Sequence, residues 1–156
     1  MTLTVEQHAA ELAEQARADV ARVGYAPARA RVLRPGQVLL VACDVQPPPA
    51  DEDARGDWYI DQLETRQRIA LQVAGVETRP GDVVIMLAMA RGDGDAFAPY
   101  VTITVTDIVS DGLAVGRPWS VRLRMVLNED SETFRLLEPE CIAIPQPESE
   151  QAGRLN

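Results

Sequence analysis

From Tyr100 to Val109 the chain alternates: Val101, Ile103 and Val105 are apolar, and Thr102, Thr104 and Thr106 between them are polar. Successive side chains of a strand point to opposite faces, so a period of two over this length specifies a half-buried β-strand. The pattern recurs at Val121, Leu123, Met125 and Leu127, which alternate with Arg122, Arg124 and polar ends. Shorter candidates are Arg29–Leu33, Gln37–Val45, Leu113–Val115, Phe134–Leu137 and Cys141–Ile144. Asp82–Ala90 is almost continuously apolar, which implies burial on both faces, or one face on the core and one on another subunit. Turn signals such as Pro35-Gly36 and Asp111-Gly112 separate these runs. Six or more short strands divided in this way predict a mainly β fold: a small SH3-like or OB-like barrel or sandwich.

A helix stands in front of it. Val5, Ala9, Leu12, Ala16, Val20 and Val23 recur at spacings of three and four. Thr4 and Gln7 have the spacing of a capping box, and Gly24 can stop the helix in a left-handed conformation. Early Glu6, Glu11 and Glu14 and late Arg17 and Arg22 suit the helix dipole. The apolar face is built largely from alanine. It can lie across its own barrel or pack on a neighbouring subunit, through Leu12 and Ala16.

"RPGQVLLV" at Arg34 returns as "RPGDVVIM" at Arg79 and, altered, as "RPWSVRLR" at Arg117. The spacings are 45 and 38 residues, and the intervening segments do not resemble one another. A true repeat would carry its whole unit. The favoured explanation is a recurrent turn: proline presets φ, and glycine accepts φ > 0 at the next position. At Arg117 the glycine is replaced by Trp119, so a different turn is expected there.

The organisation expected is a helical segment over 1–24, a β domain over 28–144 and a polar, proline-containing tail over 145–156. Gln46–Asp57 holds consecutive prolines and an acidic cluster and reads as an extended exposed loop. Trp58–Ala74 reads as a helix at its start and a strand at its end. Arg91–Pro99 is a glycine-rich loop.

The chain has 156 residues, is 46% hydrophobic and carries a net charge of −9. That suits one domain with a real core. Asp44–Glu64 alone holds seven acids against one arginine. An acidic surface argues against nucleic acid as a direct ligand and against docking on an anionic membrane. No run approaches the roughly 20 apolar residues needed to span a bilayer, and no signal peptide is visible. A cytoplasmic or virion location is expected. Cys43 and Cys141 read as buried free thiols of a reducing compartment, with a single disulfide between them as the alternative. There is no lysine, which removes Schiff-base and P-loop lysine chemistry.

No catalytic constellation is visible. The single His8 reads as a surface histidine. No serine sits in a nucleophile elbow, and the glycines of Gly92–Gly94 lack a dinucleotide setting. Asp93 and Asp95 are the residues to consider for a divalent cation, but the calcium-loop pattern is missing. No metal and no cofactor are expected.

Interface candidates are more numerous. Arg29 and Arg31 share one strand face, and Arg122 and Arg124 share another. On neighbouring strands they would form an arginine stripe able to meet an acidic surface, such as the 51–57 loop of another copy. Trp58 and Tyr59 could anchor an interface. The first expectation is therefore a non-catalytic structural or assembly subunit, contacting itself or other subunits. Head–tail joining, tail and capsid-decorating subunits of phage virions offer an architectural analogy. The alternative is a small-ligand or peptide-binding barrel module of a cytoplasmic complex, with a groove lined by Trp58, Tyr59 or Trp119. A second alternative is a carboxylate-dependent hydrolase using Asp93 and Asp95.

Overall fold

A computed structural model of the chain describes residues 3–42, 49–51, 53–54, 57–58, 78–91, 99–110, 113–130 and 133–143. One helix, α1 (Val5–Val23), precedes the strands β1 (Arg29–Arg34), β2 (Gln37–Ala42), β3 (Val83–Arg91), β4 (Pro99–Ile108), β5 (Ala114–Leu127), β6 (Phe134–Leu136) and β7 (Glu140–Ala143). The strands form an antiparallel sheet in the order β2-β1-β3-β4-β5-β6, with β7 pairing β5 beside β6. The sheet curls into a half-barrel. The mainly β class with a leading helix is as expected. No described helix is long and apolar enough to cross a membrane.

The capping box forms as its spacing requires. The Gln7 amide donates to the Thr4 hydroxyl, and the Thr4 amide donates to the Gln7 side chain. At the other end Gly24 takes φ 82°, and its amide donates to the Val20 carbonyl. Both ends of α1 therefore satisfy backbone groups that the helix itself leaves over.

The helix lies over β3, β4 and β6. Its buried Ala9, Leu12, Ala13, Ala16 and Val20 meet Ile85, Leu87 and Met89 of β3, Val101, Ile103 and Val105 of β4, and Leu123 and Met125 of β5. Alanines let helix and sheet approach closely. Leu12, at 1% exposure, fills the space between them. The alternate residues of the strands face the other way. Ala30, Val32, Val84, Ala88 and Ile108 form a second buried cluster on that face. β3 thus contributes to both clusters, which is why its sequence is apolar without alternation.

The recurrent Arg-Pro-Gly resolves into two turns and a bulge. Pro35-Gly36 joins β1 to β2, with Gly36 at φ 72°; Pro80-Gly81 leads into β3, with Gly81 at φ 93°. Pairing of β1 with β3 sets Leu33 opposite Val83, so the two turns lie side by side. Asp82 joins them. Its carboxylate accepts from Arg34 Nε at 3.0 and 3.1 Å and from the Arg79 amide at 2.8 Å. Its own carbonyl accepts from the Ile108 amide, which ties the turn to β4.

At Arg117 there is no turn. β5 runs continuously from Ala114 to Leu127, and its register against β4 shifts between Thr104 and Thr106. Arg117, Pro118 and Trp119 fill the irregularity, where a proline does not break the ladder. The separate return strand expected at Leu113–Val115 is therefore the first part of a 14-residue strand. Arg117 turns to Asp107, at 2.9 and 3.0 Å, and this partner holds the Asp107 carboxyl below its ordinary range.

Candidate interaction surface

The expected interface residues distribute as follows. Leu12 and Ala16 are buried inside the subunit, so the apolar face of α1 is occupied by its own sheet rather than offered to a neighbour. Trp58 packs against the same core, edge-on to Tyr25 at 6.1 Å. Tyr59, Asp93, Asp95 and Cys43 lie outside the described residues. Cys141 is exposed, not buried as expected.

The arginine stripe does not form. β3 and β4 separate β1 from β5, and the two pairs face opposite sides of the sheet. Arg29 and Arg31 turn toward α1. Arg29 donates to Gln15 and Asp19, and Arg31 donates to Glu11 at 2.7 Å. Arg122 stacks over the Tyr100 ring at 4.6 Å, and Arg124 donates to Glu140 at 3.0 Å. Each cation is used within the chain.

His8 is misplaced in the opposite sense to Cys141, expected at the surface and found buried. It is 6% exposed, and its Nδ1 lies 2.8 Å from Arg31 Nη1. Arginine only donates, so Nδ1 is the acceptor and the proton sits on Nε2. Burial, and then the Arg31 charge, lower the His8 pKa, with Glu11 opposing. His8 stands four residues before Leu12, inside the helical stripe. Period alone would have placed it there, and its polarity argued it out. The His8–Arg31–Glu11 cluster fastens α1 to β1.

What remains open is the edge strand β2. The ladder pairs Arg34 with Gln37 across a two-residue turn, so these two exchange hydrogen bonds and alternate pairs follow suit. Gln37, Leu39 and Val41 therefore bond to β1, and the N–H and C=O groups of Val38, Leu40 and Ala42 point away from it. Among the described residues nothing pairs with them. The same residues carry exposed side chains: Val38 is 45% and Leu40 77% exposed. Between β2 and α1 lie two grooves. One, of about 270 Å³, has Leu12, Gln15 and Arg31 along it with Leu40 and Ala42. The other, of about 320 Å³, is lined by Leu3, His8, Arg34 and Val38.

A separate cleft of about 420 Å³ opens on the far side of α1, between Ala9, Ala10 and Ala13 and the strand residues Trp119, Val121 and Cys141. Glu6 is its one charged lining residue among the described residues. Among the described residues no three His, Cys, Asp or Glu side chains converge as metal ligands. Compared with protein-family models, curated proteins and solved structures, the chain matches none of them.

Proposed function

We propose that this chain is a non-catalytic assembly subunit that accepts a strand from another chain along β2. One observation supports it. Among the described residues Gln37–Ala42 is an edge of six residues with no charge and no proline, and it exposes Val38 and Leu40. Soluble proteins guard their sheet edges with lysine, proline, bulges or cover, because open backbone groups template pairing. An unguarded apolar edge is the acceptor required for β-strand addition. By architecture alone, the proposal extends to the small β subunits that join heads to tails, build tails or decorate capsids in phage particles.

Hydrogen exchange tests it residue by residue. The amides of Leu39 and Val41 should be protected at every concentration, because they bond to β1. Those of Val38 and Leu40 should become protected only in concentrated protein or with a synthetic peptide of the β2 sequence. Free exchange at Val38 and Leu40 under both conditions would contradict the proposal.

The 420 Å³ cleft favours a second reading, a site for a small apolar ligand, since such sites occupy roughly 300–1,000 Å³. With Trp58→Phe isolating its signal, Trp119 fluorescence should shift on adding an apolar probe such as anilinonaphthalene sulfonate. An unchanged spectrum across a panel of apolar probes would remove this reading.

A further inference from the structure

We infer that the strand β2 accepts is β2 of a second copy, antiparallel, about a two-fold axis through Leu39. This rests on the strand-addition reading above and names its partner and register.

Symmetry supplies the first constraint. A two-fold perpendicular to a sheet keeps both α1 helices on the same side. Directly opposed residues of antiparallel strands also share a side, so each residue must face one of the same parity. The backbone supplies the second. Val38 and Leu40 carry the outward hydrogen-bonding groups, so they must form the bonded pairs. With the axis at Leu39, Val38 of each copy bonds Leu40 of the other, twice. Leu39 then meets its own counterpart at a non-hydrogen-bonded position, where strands approach most closely.

The side chains agree with this register. Val38 and Leu40 of both copies gather into one apolar patch on the α1 side, beside the grooves. Ala42 falls opposite Gly36 of the partner, where glycine carries no side chain to meet it. An axis at Leu40 would instead set each Val38 against Ala42, the smallest side chain of the strand, and leave the valine less covered.

Charge favours a copy of this chain at this place. Two molecules of net charge −9 repel over most of their surfaces. β2 has no charged residue, and the neighbouring Arg31 and Arg34 are turned inward to Glu11 and Asp82. Neutral apolar edges can meet where acidic surfaces cannot.

Cysteine cross-linking reads the register. In a Cys43→Ser, Cys141→Ser background, Leu39→Cys places its two thiols on strands about 4.5 Å apart between Cα atoms, within disulfide reach. Leu40→Cys sets them diagonally, about 8 Å apart, beyond it. Under mild oxidation Leu39→Cys should form a disulfide dimer at least tenfold faster than Leu40→Cys. If Leu39→Cys fails to fold, mixed Val38→Cys and Leu40→Cys proteins should give the heterodisulfide instead. Faster cross-linking through Leu40→Cys alone would overturn the Leu39 axis. If no variant cross-links but the β2 peptide still protects the Val38 and Leu40 amides, the second copy is overturned while strand addition stands. If the peptide protects nothing either, both fall.

Discussion

Asp82→Ala is expected to destabilise the fold by about 3–5 kcal/mol, the cost typical of removing one partner from a buried ion pair. The Asp82 side chain is 3% exposed and that of Arg34 10%. Their attraction is therefore little screened. The carboxylate also accepts from the Arg79 amide, so the turn into β3 loses its cap at the same time. Because that turn also binds Ile108, the damage reaches β4. For a chain of this size the melting temperature should fall by roughly 10 °C. Asp107→Ala is the control. It breaks a similar arginine pair, but its side chain is 39% exposed, and exposed pairs contribute only about 0–1 kcal/mol. Equal losses in the two variants would show that burial is not what makes the Arg34–Asp82 pair matter.

The local devices were legible in the sequence, and the long-range ones were not. Thr4, Gln7 and Gly24 act through residues three or four positions away, so spacing alone revealed them. The alternation at Val101–Thr106 likewise reports a strand with one face on a core. Pro118 could not be read as lying within a strand. β5 stays extended across it because the residues on either side are held by strands distant in sequence, Gly116 and Ser120 by β4 and Trp119 by β7.

The two Arg-Pro-Gly segments show the limit most clearly. "QVLLV" and "DVVIM" follow the same turn with nearly the same hydropathy. One becomes an edge and the other lies inside the sheet, bonded to β1 and β4. The aspartate is a local difference, but its value lies in reaching Arg34, which only the fold brings near. An apolar strand reads as buried wherever it sits. That β2 is an edge follows from strand order, and its exposed Leu40 could not be foreseen from composition. The arginine stripe failed for the same reason: it required β1 and β5 to be neighbours.

Leu40→Lys should abolish association through this edge. Covering a leucine stabilises a complex by about 2 kcal/mol, and a two-fold interface loses the contribution twice. The expected weakening of about 4 kcal/mol is roughly a thousandfold in dissociation constant. Lysine also places a guarding charge on the edge. The substitution changes the net charge from −9 to −8, so general repulsion between copies falls slightly. Any loss of association must then come from the edge itself. Leu40 is 77% exposed in the folded chain, so the variant should keep its fold, with the melting temperature of the unassociated wild-type chain.

Light scattering of the two proteins at matched concentrations is the most direct measurement. Strand pairing at β2 predicts a wild-type mass of twice 17.0 kDa, and 17.0 kDa for Leu40→Lys. Equal masses for the two, whether both monomeric or both associated, would contradict a role for β2 in assembly of this chain with itself.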